Sequence, residues 1–305
     1  MPAAQSLRQL LTRSIDYAGL FPPCALDLTS ALAKQADYQR SADAWMLNAF
    51  VLPAAQFNAA REQLSLFDPA NPLRVSALGP KTENADAFLA ALEESVTAIR
   101  KFAGSNVDLI AMNQLEMALP VDVKLEDLRI AQEMIGDLPT FWEAPAEAAQ
   151  RIIALLAEHN SNTRYEAFGY KLRTGGVTPD AFPTSIQIAK ALVTPATHQL
   201  PIKFTAGLHH PLRQYREEVE TKMHGFLNVL GAAVLAAEHR WDPNQTAIML
   251  EEENADSFSF TDDFFAWREW RIDTKRLQYR RRFIVSFGSC SFDEPRDDLR
   301  ALNLL

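Results

Sequence analysis

Short apolar runs alternate along this chain with longer stretches in which apolar residues recur every three or four positions. Runs of four to eight residues closed by Pro or Gly read as buried strands, and the periodic stretches read as amphipathic helices. Strands are therefore expected at Asp16 to Phe21, Trp45 to Leu52 and Leu73 to Leu78, closed by Pro22-Pro23, Pro53 and Gly79-Pro80. Helices follow over Leu28 to Arg40, Ala54 to Leu66 and Ala85 to Phe102, with Thr29 or Ser30 placed to cap the first. Val107 to Leu119 is ambiguous: its strand starts at Val107 or only at Leu115, and a helix over Leu125 to Ile135 follows Pro120. Thr140 to Glu143 forms a fifth strand, stopped by Pro145, with a helix from Glu147 to Glu158.

The stretch from Tyr165 to Arg213 organises the rest. A strand over Ala167 to Leu172 runs into Lys171-Leu172-Arg173-Thr174-Gly175-Gly176. A short helix follows over Ser185 to Val193, with Ile186, Ala189 and Val193 on one face. A strand over Pro201 to Thr205 then runs through Lys203 into Ala206-Gly207-Leu208-His209-His210-Pro211. A helix over Arg213 to Met223, an eighth strand over Gly225 to Leu230 and a helix over Gly231 to His239 complete the pattern. Eight strand–helix pairs in about 240 residues match a (β/α)8 barrel of the TIM type. The expected fold is therefore α/β, a barrel over residues 1–240 with a C-terminal α+β appendage over 241–305. In the appendage, Ser257 to Ile272 reads as a hairpin, Thr274 to Arg282 as a basic helix and Phe283 to Phe287 as a strand-like run. An open doubly wound sheet is the alternative, but neither GxGxxG nor a P-loop speaks for a nucleotide-binding version.

Composition narrows the function classes. Hydrophobic residues at 48% and charged residues at 23% fit a soluble globular chain. A net charge of -9 argues against nucleic acid as a general partner, because phosphate contacts need a basic face. Cys24 and Cys290 are too few for a disulfide framework, and no Cys/His spacing matches a zinc site. No signal-peptide core and no membrane-spanning apolar run is visible, so a cytoplasmic protein without a membrane partner is expected. No cofactor is implied. Whether the chain forms a homo-oligomer is left open.

Chemistry concentrates at the strand ends, where ligands of such barrels sit. Lys171 and Arg173 lie two apart and share a face, as do Lys203 and Thr205. Together they suggest a positive site for a small anionic metabolite, with Thr174, Gly175 and Gly176 offering backbone N–H groups as a nest. Crowded cations in a dry pocket lower a lysine pKa and make its amine nucleophilic. The plainer alternative pairs these cations with Asp16, Glu116 or Glu143. Glu116 and Glu143 are also candidates for orienting substrate or moving protons, with His209 or His210 as acid or base. Adjacent histidines in an extended segment point opposite ways, so at most one need face the pocket. His209, His224 and Glu143 are a conceivable metal set, although no spacing points to one. Tyr17 and Asn228 complete the substrate-binding candidates, and Cys290 reads as a buried structural thiol.

The two lysine motifs, K-L-R-T-G-G and K-F-T-A-G, resemble those of class I aldolases of the deoxyribose-phosphate aldolase type. That resemblance implies a Schiff-base lysine ending strand six, here Lys171, and a second lysine ending strand seven, here Lys203, that depresses the first one's pKa. The family's strand-four proton-relay aspartate matches Asp108; if the strand starts at Leu115, Glu116 faces the site instead. Arg173 and His209-His210-Pro211 depart from the family's small residue and glycine-rich phosphate turn. The match covers about a sixth of the chain. Over its whole length the chain also resembles a family of uncharacterised bacterial proteins carrying YAGLFPP, KLRTGG, GLHHP, HGFLN and FGSCSFDEP, which implies no activity. The function expected is a lyase, aldolase-like, acting on a small anionic carbonyl compound or sugar phosphate. Isomerisation, phosphoribosyl transfer or non-catalytic metabolite binding at the same site are the alternatives.

Overall fold

Eight parallel strands close into a barrel in the computed structural model, which describes residues 3–305, backbone only for 195–198. In chain order they are Ile15–Tyr17, Leu47–Pro53, Leu73–Leu78, Ile110–Ala118, Thr140–Ala144, Gly169–Arg173, Ile202–Thr205 and Ile284–Ser289. Each pairs with the next, and the eighth pairs with both the seventh and the first. The third strand and the helix Leu125–Ile135 fall where the hydrophobic pattern placed them. Outward side chains such as Leu52, Leu115, Trp142 and Tyr170 are buried beneath the helices, so the strands are apolar on that face. No helix among the described residues is long and apolar enough to cross a membrane.

The expected boundary at residue 240 is corrected by the sheet. Strand eight is Ile284–Ser289, inside the segment assigned to the appendage, while Gly225 to Leu230 belongs to the helix Phe226–His239. Every residue from Phe226 to Ala236 is buried, and all but Asn228 are non-polar, so this helix has no polar face. It therefore loses the 3.6-residue stripe and imitates a buried strand. The helix expected over Arg213 to Met223 is instead a small antiparallel pair, Gln214–Arg216 with Thr221–Met223, turned through Glu220 at φ 51°. Charged, helix-favouring residues such as Glu217 and Glu218 have no core face here, and the local ladder wins.

The segment between strands seven and eight is thus one long crossover. It carries the helices Phe226–His239, Pro243–Leu250 and Thr274–Arg280, and a three-stranded antiparallel sheet of Phe258–Phe260, Phe264–Trp267 and Trp270–Asp273. Trp241, Trp267 and Trp270 pack edge-to-face within it, so the aromatic residues of the expected hairpin are packing groups. After strand eight the helix Asp293–Ala301 returns beside the helix Leu28–Gln39, where Tyr38 donates to Asp293 at 2.6 Å. Strand eight therefore ends, with Cys290, at the barrel mouth.

Candidate functional site

A cavity of about 480 Å³ opens at the carboxyl ends of the strands. Phe21, Pro22, Val51, Leu78, Val177 and Phe204 form its walls, and Glu116, Glu143, Lys171 and Lys203 line its polar part. Register brings these together. Glu143 is the Cα partner of Lys171, which is the partner of Lys203, across strands five, six and seven.

Two lysines share one carboxylate. Lys171 Nζ lies 2.7 Å from Glu116 Oε2 and 2.8 Å from Glu143 Oε2. Lys203 Nζ lies 2.7 Å from Asp16 Oδ2 and in contact with Glu116 Oε1. Arg173 Nε reaches Glu143 Oε1 at 3.1 Å from the cavity rim, where the arginine is half exposed. Three cations thus face three carboxylates, and the expected surplus of positive charge is corrected to a balanced network. The partners named as the plainer reading are the ones present.

Charge balance reverses the expected direction of the lysine pKa. Burial opposes the Lys171 ammonium, but the Glu116 and Glu143 carboxylates outweigh it and hold the group above the ordinary lysine range. Burial likewise pushes Glu116 up, and the two lysines overcome it, holding the carboxylate far below its usual range. Glu143 is depressed in the same way against burial, by Lys171 and then Arg173.

The sequence presents Asp16 only as a counter-ion and gives no motif that marks Asn48, Ser76, Gln114 and Ser286. Asn48 Nδ2 and Ser286 Oγ donate to Asp16 at 2.7 and 2.5 Å. Gln114 Nε2 donates to Ser76 Oγ at 2.9 Å and reaches Asp16 and Glu116 at 3.3 Å, while Ser76 Oγ donates to Glu116. All are buried. The available signal was a polar residue interrupting each apolar strand, which a buried position tolerates only with a partner. Below them Gly169 leaves room for the Phe141 ring, which a Cβ would meet at 2.5 Å, and Lys203 Nζ lies 5.5 Å from that ring's centre.

The glycines of the two lysine motifs serve packing. A Cβ on Gly175 would lie 2.8 Å from Cα of Gly207, and Gly207 sits at φ +76° with equally little space. Thr174 N–H and hydroxyl are spent on the carbonyls of Thr205 and Ala206, so Thr174 ties the two strand ends together and is not a substrate donor. Of Thr174, Gly175 and Gly176, Gly176 alone lines the cavity, which Gly207 lines as well. Gly207→Ala is expected to lower stability by about 2–3 kcal/mol through the left-handed backbone and the backbone contact. Urea unfolding checks this; a cost under about 0.5 kcal/mol, the scale of an ordinary surface change, would contradict it.

The remaining candidates divide. His209 lines the cavity, with Nδ1 3.3 Å from Glu294 Oε2. His210 points away and binds Asp298 Oδ2 at 2.6 Å, so it anchors the last helix. Asp108 is exposed in the turn before strand four, at the opposite end from the cavity; strand four begins at Ile110 and presents Glu116 inward. Tyr17 follows the inward Asp16 and so points outward, packing edge-on against Tyr38. Asn228 lies under the long crossover, donating to the carbonyls of Met249 and Glu252 and accepting from Arg213 N–H, and is structural. His224 contacts Arg213 and the Pro183 carbonyl, so the set of His209, His224 and Glu143 does not assemble. Among the described residues no three His, Cys, Asp or Glu side chains group as metal ligands.

No protein-family model matches the chain. No curated protein matches it either.

Proposed function

We propose that this barrel is a lyase of the class I aldolase type, acting on a small anionic carbonyl compound of sugar-phosphate size. The observation that carries the reading is the pair Lys171 and Lys203, neighbours in register and held on the two oxygens of Glu116 at a cavity wall. The resemblance of the K-L-R-T-G-G and K-F-T-A-G motifs supports it, with the strand-four carboxylate role passing from Asp108 to Glu116.

In this reading Lys171 is the nucleophile. Its ammonium yields a proton to Glu143 or Glu116, and Nζ then attacks the substrate carbonyl carbon to form a carbinolamine. A proton delivered to the carbinolamine oxygen from the Glu116–Lys203 pair lets water leave and an imine form. The protonated imine accepts the electron pair released when the bond between its α and β carbons breaks, as the β-hydroxyl gives its proton to a carboxylate such as Glu143 and becomes a carbonyl. Asp16 holds Lys203, the rim guanidinium of Arg173 binds the substrate anion, and His209 serves proton transfer nearer the mouth. The balanced network suits an anion of low charge, since Arg173 is the cation nearest solvent.

The high ammonium character of Lys171 favours a second reading, an isomerase. There Lys171 stays charged and polarises the carbonyl, while Glu143 removes the neighbouring proton. Borohydride trapping with a panel of small aldehydes, ketones and sugar phosphates, followed by peptide mapping, separates the two. A reduced adduct on Lys171, lost in Lys171→Ala, is expected. Turnover of a substrate without any trapped adduct would leave the isomerase.

A further inference from the structure

We propose that Cys24 and Cys290 form a reversible disulfide clasp at the cavity mouth, made when the protein meets a peroxide. They are the two cysteines of the chain, 266 positions apart, and they stand as free thiols with Sγ atoms 3.0 Å from each other. A disulfide bond is roughly 2.05 Å, so about 1 Å of side-chain movement closes it.

The place gives the bond a consequence. Cys24 is exposed on the loop between strand one and its helix, the loop whose Ala18, Phe21, Pro22 and Pro23 wall the cavity. Cys290 is buried just beyond strand eight and lines the same cavity. Oxidation would staple that loop to the strand-eight end, over the seam where Asp16 pairs with Gly288.

The chemistry is also sequenced by the surroundings. Exposed Cys24 reacts first: its thiolate sulfur attacks a peroxide oxygen, the O–O bond breaks, and hydroxide leaves with the thiol's proton as water. Burial, with the contact from Cys24, pushes the Cys290 thiol up to about 12, so it waits as a protonated resolving thiol. As it passes its proton towards His209, its sulfur attacks the sulfenic sulfur, the S–O bond breaks, and that proton joins the departing hydroxide as water. Two thiols and one hydrogen peroxide give one disulfide and two waters. The proton has a route, with His209 Nδ1 3.8 Å from the Cys290 sulfur and Glu294 Oε2 3.3 Å further on. Tyr17 supplies a buried hydroxyl with no hydrogen-bond partner among the described residues, and its pKa is raised by burial first and then by Cys24 and Cys290. Small-molecule thiols reopen the bond at the exposed sulfur, and a reducing compartment keeps it open.

The test uses the full chain, hydrogen peroxide, non-reducing peptide mapping and intact mass. The expected result is a mass loss of about 2 Da, one peptide pair joining Cys24 to Cys290, and full reversal by dithiothreitol. In Cys290→Ser, Cys24 should persist as a sulfenic acid captured by dimedone; in Cys24→Ser, Cys290 should stay reduced. Amide exchange over residues 18–27 should slow severalfold in the oxidised protein. Both thiols remaining free to alkylation overturns the proposal, as do overoxidation of Cys24 without a cross-link, cross-linking between chains, or zinc held by the pair. None of these readouts depends on imine chemistry at Lys171.

Discussion

Glu116→Gln is expected to cost about 3–5 kcal/mol of stability near neutral pH, the scale of breaking a buried ion pair. The reason is specific to the geometry. Glu116 is 2% exposed and neutralises one lysine with each oxygen, so its loss leaves two buried ammonium groups with Asp16 and Glu143 as their remaining carboxylates. The amide keeps the volume, so the loss is electrostatic and not a cavity. Denaturant unfolding of the variant, with circular dichroism to establish that it folds, measures it; a difference under about 1 kcal/mol, the range of a surface pair, would refute the network's role.

The pH dependence has a definite sign at both ends. Glu116 has its pKa depressed below the ordinary 4.5, so its contribution is present above that value and is lost as pH falls towards the folded pKa. Lys171 has its pKa raised above 10.5, so its contribution is full below that value and is lost as pH rises through the folded pKa. Wild type should therefore hold a stability plateau between roughly pH 5 and 10 from this network. Glu116→Gln should lose its deficit progressively below about pH 4.5, where the native carboxylate's advantage disappears.

Much of the site was legible because strand parity and register are local rules. Lys171 and Arg173, two apart before a Gly pair, had to share a face, and a parallel neighbour ending in Lys203 had to meet them. Asp16 is obscured because the apolar run from Asp16 to Phe21 makes the aspartate look like a strand start; it is the middle residue of Ile15–Tyr17. Asp108 enters through the aldolase resemblance, as the strand-four aspartate of a strand that would start at Val107. Yet Asn106 accepts the turn from Leu109 and Ile110 N–H at its carbonyl, and the ladder begins only at Ile110. The barrel count came to eight for a partly wrong reason: a helix buried on all sides replaced the true eighth strand. Periodicity reports contrast between faces, and neither a fully buried helix nor a fully buried strand has any.

Lys203→Met should move imine formation in the opposite sense to Glu116→Gln, and this pair of shifts is the sharpest test of the lysine chemistry. The amine of Lys171 must be neutral to attack, and even an ordinary lysine is neutral only to roughly one part in a few thousand at pH 7. Borohydride trapping in the wild type should therefore climb about tenfold per pH unit through the neutral range. Glu116→Gln removes an adjacent negative charge, so Lys171 loses its proton more easily and the rising limb moves to lower pH. Lys203→Met removes a nearby positive charge and frees Glu116 to serve Lys171 alone. Both changes favour the ammonium, so the limb moves to higher pH and trapping at pH 7 falls by about 10-fold or more. The measurement is the initial trapping rate across pH 6 to 10 in wild type and both variants. Shifts of the same sign in the two variants would show that Lys203 acts by packing or proton delivery instead of charge.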